Sequence, residues 1–178
     1  QDYALMRCMP NMLIAAPGDP LEVRACVRYL VSNPGPSYLR LGKAGEPDYQ
    51  LQIPDVYPGG LNLLQGTLAD TKVILSTGTA LGAAMEWRER TYCEHSVFTV
   101  PLWSMNSKRL IADRLSDFQE IISTEDHLLD GGFGSYLLEA QNLLERPVAK
   151  IDVIALAGEV CGEVGGEIAL QRLGGLRQ

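Results

Sequence analysis

The sequence lacks two features that would place it in a function class at once. It has only 15 lysine and arginine residues against 22 aspartate and glutamate residues, for a formal net charge of −7. Proteins that bind the phosphate backbone of nucleic acids need a basic surface, so this balance argues against a nucleic-acid partner. No run of apolar residues approaches the ~20 residues that span a bilayer, so we expect no membrane partner either.

Cysteine is scarce and scattered. Cys8, Cys26, Cys93 and Cys161 form no CxxC pair and show no cysteine–histidine spacing of the zinc-site type, so we expect no metal site. This spacing favours a reduced, cytoplasmic protein with buried free thiols over a disulfide framework, and no secretory signal is visible. The first residue is Gln1 rather than methionine, so we expect other residues to precede it.

The sequence does contain short apolar runs that alternate with amphipathic segments. In residues 1–41, the apolar run 12–16 predicts a buried strand. Asp19-Pro20-Leu21-Glu22 predicts a helix start, with aspartate at the N-cap, proline at the first helical position and glutamate two residues later. Asn33-Pro34-Gly35-Pro36 predicts the end of that helix, and a second strand follows over 37–41.

Residues 42–71 show no sustained periodicity and are rich in proline and glycine. They predict a linker, with a short strand around 50–53 and a hairpin near Gly66. From residue 72 a regular alternation returns. Strands are predicted at 73–76, 96–100, 118–123 and 150–157, and helices at 79–90, at 107–115, after Gly131-Gly132, and at 166–173.

This alternation defines the predicted fold class. Strands that alternate with helices are joined by right-handed crossovers and build a mostly parallel sheet. We therefore predict an α/β protein in which a mostly parallel sheet has helices on both faces, a three-layer α/β/α arrangement. The predicted division is 1–41, a linker over 42–71, and a second domain over 72–178.

Two neighbouring segments can carry chemistry. Glu125-Asp126-His127 follow a predicted strand at the carboxyl edge of the sheet, where a carboxylate beside a histidine can act in acid–base catalysis. The alternative is a cluster that orders the next turn or forms an intersubunit contact. Gly131 to Ser135 resembles half of a dinucleotide fingerprint, but Leu137 occupies the third glycine position, so close helix–sheet packing is favoured.

Arg40 is the candidate ligand-binding residue of the amino-terminal segment. It lies at the carboxyl end of a predicted strand, two residues before Gly42. A guanidinium there can hold a phosphate or carboxylate through two hydrogen bonds. A surface ion pair is the alternative. His95, in a polar loop, is expected to be solvated.

Several segments that run in a fixed order over nearly the whole chain carry a family resemblance. They are QDYALMR with MPNM (1–7 and 9–12), APGDPLE (16–22), GPSYLRLG (35–42), TG (77–78), and TEDH with GGFGS (124–127 and 131–135). These segments resemble the carboxyl-terminal half of the thiamine diphosphate enzymes of the transketolase superfamily. That superfamily includes transketolase, 1-deoxyxylulose-5-phosphate synthase and the beta subunits of 2-oxo acid dehydrogenases.

The resemblance implies a domain assignment. Residues 1–41 are similar to the carboxyl-terminal remnant of the family's pyrimidine-binding domain, and 72–178 to its carboxyl-terminal domain. The family's metal-binding G-D-G…N motif, its cofactor-activating glutamate and its T-H pair have no counterpart in this sequence. Thiamine diphosphate and Mg²⁺ are therefore expected for the complete enzyme, while this chain alone is expected to bind no cofactor.

The resemblance also implies roles for the candidate residues. Arg40 matches the arginine that holds the substrate phosphate near the mouth of the active site. Glu125 and His127 are implied to be adjacent to the site or to lie at an interface, with a role in domain packing. No catalytic residue and no metal ligand of the family falls on this chain.

The expected function is the carboxyl-terminal portion of a transketolase-like enzyme, which transfers a two-carbon ketol unit between sugar phosphates. This portion is expected to be inactive without the missing amino-terminal portion or a partner subunit, and the complete enzyme is expected to be a homodimer. Two alternatives remain open: a non-catalytic assembly or binding module from a truncated gene, and part of a 2-oxo acid dehydrogenase beta subunit. The YLRLGK segment is more similar to second subunits of the transketolase type than to the Y-P-R-G segment of deoxyxylulose phosphate synthases.

Overall fold

The structure is a computed structural model that describes residues 1–43, 45–147 and 149–178. Its elements along the chain are α1 (Asp2–Arg7), β1 (Leu13–Ala15), α2 (Pro20–Ser32), β2 (Ser37–Leu39), β3 (Asn62–Gln65), β4 (Lys72–Thr77), α3 (Leu81–Arg90), β5 (Ser96–Thr99), β6 (Leu102–Ser104), α4 (Lys108–Leu115), β7 (Glu120–Leu128), α5 (Phe133–Gln141), β8 (Lys150–Leu156) and α6 (Glu167–Leu173). Over the described residues, none of these helices is long and apolar enough to cross a membrane.

A five-stranded sheet in the order β3-β5-β4-β7-β8 forms the larger layer. β4 pairs in parallel with β5 and β7, β7 pairs in parallel with β8, and β3 runs antiparallel to β5. Alternate residues of β4 face opposite sides: Val73 and Leu75 pack with α4 and α5, while Ile74 packs with α3. Helices therefore cover both faces, which confirms the predicted three-layer α/β fold.

A second, three-stranded sheet has the order β2-β1-β6. β1 pairs in parallel with β2 and antiparallel with β6, so the amino-terminal segment pairs with a strand from the middle of the chain. Ile14 of β1 lies in the same buried cluster as Tyr3, Trp103 and Leu75. One hydrophobic core thus extends from the small sheet to the large one.

Residues 42–71 differ from the prediction in two respects. No strand forms around 50–53, where the backbone N–H of Gln50 donates to the carboxylate of Asp19 at 2.8 Å. The extended segment lies further along, at β3, and pairs with β5 instead of forming a hairpin with β4 near Gly66. The division into 1–41, 42–71 and 72–178 stays a prediction.

Asp19 has two structural roles. One carboxylate oxygen accepts the backbone N–H of Glu22 at 2.7 Å, which confirms the predicted cap of α2, and Pro20 occupies the first turn. The other oxygen accepts the backbone N–H groups of Tyr49 and Gln50 at 3.0 and 2.8 Å. The same buried side chain therefore starts a helix and fixes the segment that joins the two sheets.

Substitution of Asp19 by alanine is expected to expose residues 42–58 to proteases. The variant loses a cap worth about 1 kcal/mol and two further hydrogen bonds to a charged group. Since cleavage follows the population of the open form, we expect roughly tenfold faster cutting in this segment, measured by limited proteolysis with mass spectrometry. Asp55→Ala, at an exposed position in the same segment, serves as control and should change the rate less than about twofold. First cuts within 72–178 would contradict the expectation.

Candidate functional site

A cavity of about 350 Å³ lies where several strands end. Its lining comes from residues just after β2 (Arg40 to Lys43), from Thr79 after β4, from Asp126 near the end of β7 and from Leu156 at the end of β8. A second cavity of about 360 Å³ adjoins it, sharing Lys43, Thr79 and Glu167. Ligands of α/β proteins bind at this edge of a parallel sheet, so this is the candidate site.

Arg40 is held in this cavity by the side chains of Asp2, Tyr3 and Asp126. We call these four residues and Thr79 the Arg40 cluster. The Arg40 Nε atom lies 2.9 Å from Asp2 Oδ2. Its Nη1 atom lies 3.4 Å from the Tyr3 hydroxyl and 3.7 Å from Asp126 Oδ2. The guanidinium carbon lies 4.9 Å from the centre of the Tyr3 ring, within cation–π range.

Sequence and fold together explain why these side chains meet. Asp2 and Tyr3 occupy the first turn of α1, which packs beside β1. Arg40 directly follows β2, which pairs with β1. Asp126 comes from β7 of the other sheet, and the hydroxyl of Thr79 donates to its Oδ2 at 2.8 Å. The cluster therefore connects the two sheets.

The charges in the Arg40 cluster are not balanced, since two carboxylates face one guanidinium. Burial raises the pKa of Asp2, but Arg40 and the Tyr38 hydroxyl outweigh this effect, so that the net pKa lies below its usual value. Burial works against the charge of Arg40, yet Tyr3, Asp126 and Asp2 together raise its pKa. The arginine therefore stays charged. Elsewhere in the cavity lining Lys43 adds a positive charge and Glu167 a negative one.

Glu125 lies on β7 and not in a loop after it, which corrects the expected position of Glu125, Asp126 and His127. β7 is longer than predicted because its pairing continues with β4 up to Glu125 and with β8 at Leu128. The Glu125 side chain is fully buried and accepts the backbone N–H groups of Phe133 and Gly134, at 2.9 Å for the latter. It caps the amino terminus of α5.

The glycine-rich turn is shaped by this cap. A Cβ atom on Gly132 would collide with the Glu125 carboxylate, and one on Gly134 would collide with Val153 of β8. The two glycines therefore permit close approach of α5 to the sheet, in agreement with the packing interpretation of this segment. Burial raises the pKa of Glu125 to about 7, even though the two N–H donors, Arg7 and Arg40 act in the opposite direction.

His127 lies on the same face of β7 and is also buried, at 2% exposure. Its ring stacks on Tyr3 with 5.3 Å between centroids, and its Nδ1 atom lies 2.6 Å from the carbonyl oxygen of Leu128. Burial lowers its pKa. Among the described residues no hydrogen bond joins His127 to Glu125, and of the three neighbours only Asp126 lines the cavity.

His95 is buried at 6% exposure, so the expectation that it is solvated was wrong. Tyr92 packs edge-on against its ring at 5.0 Å, and Arg88 donates to its carbonyl oxygen at 3.1 Å, which together cover it. Its Nε2 atom lies 3.6 Å from a carboxylate oxygen of Glu120, at the start of β7. It is therefore at the opposite end of the sheet from the cavity.

Glu125→Gln is expected to change how the stability depends on pH. Because the folded-state pKa of Glu125 is raised to about 7 from 4.5, the carboxyl adds stability at low pH that is lost as the pH rises through 7. We expect this contribution to amount to at most about 3 kcal/mol between pH 5 and 8 and to disappear in the glutamine variant. Urea denaturation at intervals of half a pH unit measures it.

Glu139→Gln is the matched control for this measurement. Glu139 lies on the outer face of α5, where its hydrogen bonds to Arg7 and Lys108 lower its pKa to about 2. Its contribution is therefore present throughout pH 5–8 and is lost only below that range. Parallel pH profiles for the wild type and Glu125→Gln would show that the cap titrates outside this window.

Comparisons with known proteins show where the chain finds relatives. No family model matches the sequence. It is 27% identical over 175 residues to a subunit of apulose-4-phosphate transketolase from Actinobacillus succinogenes, covering 97% of this chain and 50% of that protein. The corresponding subunit from Phocaeicola vulgatus is 32% identical over 152 residues, covering 83% of this chain and 47% of that protein. A 1-deoxy-D-xylulose-5-phosphate synthase of Anaeromyxobacter sp. is 28% identical over 150 residues, covering 82% of this chain and 23% of that protein.

Solved structures agree with these relatives. A structure described as "Split gene transketolase, inactive beta4 tetramer" superposes with a TM-score of 0.78 at 25% identity, covering 99% of this chain and 56% of that one. Transketolase from Campylobacter jejuni shares the fold with a TM-score of 0.56 at 15% identity, covering 98% of this chain and 26% of that one. The chain thus spans about half the length of the two apulose-4-phosphate transketolase subunits that it matches.

Proposed function

The chain belongs to the transketolase family of thiamine diphosphate-dependent enzymes as a carboxyl-terminal portion, and we propose that it works as part of an enzyme that transfers a two-carbon ketol unit between sugar phosphates. The observation that carries the proposal is coverage: the similarity extends over 97% of this chain but over only 50% of an apulose-4-phosphate transketolase subunit. The remaining half is supplied by an amino-terminal portion or a partner subunit, and the chain is inactive without it.

The small sheet offers a place where that portion packs. β2 is an edge strand, and among the described residues it pairs with β1 alone. Next to this sheet, α1 and α2 expose apolar side chains: Leu5 is 64% and Val31 77% exposed. An unpaired strand edge beside exposed apolar side chains favours contact with a further protein segment.

Arg40 is the residue that we assign to the substrate phosphate. Its Nε and Nη1 atoms face Asp2, Tyr3 and Asp126, so we assign Nη2 of this cavity-lining arginine to the substrate phosphate. A guanidinium keeps its charge at any working pH and suits a phosphate oxygen. Lys43, in the same lining, adds to the attraction of an anion.

The proposed binding site of thiamine diphosphate and Mg²⁺ does not lie on this chain. Among the described residues no group of three or more histidine, cysteine, aspartate or glutamate side chains could hold a metal ion. The family's metal-binding G-D-G…N motif also has no counterpart in the sequence, and a magnesium-bridged diphosphate is held by carboxylate and amide oxygens of that kind. We propose that thiamine diphosphate and Mg²⁺ are bound by the missing portion, and that this chain contributes substrate binding and structural support.

Assembly and location complete the proposal. We propose that the complete enzyme is a homodimer, as the resemblance to the transketolase superfamily implies, and that it is cytoplasmic. The four cysteines are free, which suits a reducing compartment, although Cys8, Cys93 and Cys161 are exposed rather than buried as expected. Light scattering on the chain with and without its complement measures the assembly state.

Reconstitution tests the proposed function. The chain is purified alone and after co-expression with a complementary amino-terminal portion, and ketol transfer between sugar phosphates is measured with thiamine diphosphate and Mg²⁺. We expect no activity and no cofactor binding for the chain alone, and both for the complex. A stable complex without transfer activity would favour an assembly module. Activity on 2-oxo acids would favour a dehydrogenase beta subunit.

A further inference from the structure

Asp126 is the carboxylate of the Arg40 cluster that lines the cavity. We propose that Asp126 is a positioning residue that directs Arg40 into the cavity and weakens the binding of any anion that has no hydroxyl, beyond the anionic group itself, to donate to the carboxylate. A phosphate ester of a polyhydroxy compound then binds better than inorganic phosphate. This inference rests on the anion-binding role proposed above for Arg40.

The positioning part follows from the contacts around the guanidinium. Asp2 engages the Nε edge, the Tyr3 ring lies against the guanidinium face, and Asp126 lies beside Nη1 at 3.7 Å. Asp126 is itself fixed by the Thr79 hydroxyl at 2.8 Å. Three contacts from different directions leave the guanidinium little freedom, so the direction of its remaining nitrogen is set before a ligand arrives.

The preference for hydroxyl-bearing phosphate esters over inorganic phosphate follows from the charge of Asp126. An anion bound to the free edge of Arg40 would lie within a few ångströms of the Asp126 carboxylate, and like charges at that distance in a half-buried site repel strongly. A carboxylate accepts hydrogen bonds but donates none. A ligand hydroxyl that donates to Asp126 offsets the repulsion. Inorganic phosphate and a phosphate ester are both dianions at pH 8, but the ester of a polyhydroxy compound also brings hydroxyls beyond the phosphate group.

Asp2 provides a matched comparison within the same cluster. It neutralises the same guanidinium from the Nε side, at 2.9 Å, but it is not part of the cavity lining. Removal of its charge therefore acts on Arg40 without removing an acceptor from the cavity. The proposal requires Asp126 and Asp2 to differ in their effect on ligand preference.

The test is a titration of the full chain followed by amide NMR signals of Gly42 and Lys43, at pH 8 and constant ionic strength. The probes are inorganic phosphate and glycerol 3-phosphate, which carries hydroxyls. For the wild type we expect a preference of about threefold or more for glycerol 3-phosphate. Asp126→Asn should bind inorganic phosphate about three- to tenfold more tightly and lose the preference. Asp2→Asn should keep the preference, and Arg40→Ala should lose binding of both probes.

The outcomes separate the two proposals. If a folded Asp126→Asn binds both probes more weakly, Asp126 is only a structural support and the inference is overturned, while the role of Arg40 stands. If Arg40→Ala binds both probes like the wild type, or the wild type shows no saturable shift, the role of Arg40 falls and the inference with it. Ketol transfer by the reconstituted enzyme is measured independently of either result.

A second variant covers the case in which Asp126→Asn does not fold. Asp126→Glu keeps the charge and the acceptor oxygens, so it should keep phosphate binding within about threefold of the wild type. Tighter phosphate binding by Asp126→Glu would contradict a charge-based discrimination, because the charge is still present.

Discussion

Trp103→Ala is expected to lower the free energy of unfolding by about 3–5 kcal/mol, a large part of the stability of a typical domain. Trp103 lies on β6 and is fully buried. Its ring contacts Tyr3 of α1 at 5.4 Å and Phe133 and Tyr136 of α5 at 5.4 and 5.0 Å between centroids. Its indole N–H donates to the Thr77 hydroxyl at 3.1 Å. One side chain thus packs against both sheets and two helices.

The expected loss is cooperative as well as large. Because the core extends across both sheets, a cavity at Trp103 weakens the two together. The chain has two tryptophans, so the variant leaves Trp87 of α3 as the only indole reporter. We expect Trp87 fluorescence and far-UV circular dichroism to give coincident urea transitions at a lower midpoint.

Trp87→Ala is the control for this measurement. Trp87 is half-buried, packs at 6.1 Å against Tyr92, and donates to the carbonyl oxygen of Leu176. We expect a smaller decrease in the free energy of unfolding, because the alanine substitution removes less buried apolar surface at this half-buried position. A loss below about 1 kcal/mol for Trp103→Ala, or two separate transitions, would show that the sheets do not share one core.

Arg40→Ala is expected to have the largest effect on catalysis by the reconstituted enzyme. Loss of a charge-assisted contact to a substrate phosphate costs about 1.5–3 kcal/mol, which corresponds to about a ten- to hundredfold drop in kcat/KM. We expect most of the drop to appear as a higher KM for the phosphorylated substrate. Arg40→Lys should recover only part of it, since a lysine lacks the planar pair of donors.

Stability must be measured beside the kinetics, because Arg40 also neutralises Asp2 and Asp126. Removal of the guanidinium leaves two half-buried carboxylates without their partner, so the alanine variant is also expected to be less stable. Arg109→Ala is the control: this arginine is 67% exposed on α4 and pairs with Asp113. An unchanged kcat/KM in folded Arg40→Ala would contradict a role in substrate binding and leave Arg40 as a structural ion-pair partner.

The sequence predicted those parts of the fold that are coded locally. Asp19, Pro20 and Glu22 lie within four residues of one another, and their cap geometry needs no distant partner, so the start of α2 was predictable. The parallel strands β4, β7 and β8 were also predictable, since each is a short apolar run between helices. β3 escaped prediction because an antiparallel edge strand of four residues has little periodicity of its own.

The site was predictable only in part, and the reason is distance along the chain. Arg40 and the Glu125-Asp126-His127 segment were singled out, but Asp2, Tyr3 and Thr79 were not. No spacing rule relates residues 2, 40, 79 and 126. Their approach depends on the packing of α1 beside β1 and of the small sheet against the large one, which local patterns do not encode. Asp126 lines the cavity while Glu125 and His127 do not, because successive side chains of β7 lie on opposite faces of the strand.

The open edge of β2 has a consequence for how the protein must be produced. A strand with free N–H and C=O groups can pair with any other extended chain that it meets, including the same edge of an identical molecule. Synthesis of the chain in excess over its complement therefore leads to self-association, in proportion to the square of the unassembled concentration. A cell that makes the two portions in equal amounts and close together keeps that concentration low. Coordinated expression is therefore expected to limit self-association through the β2 edge.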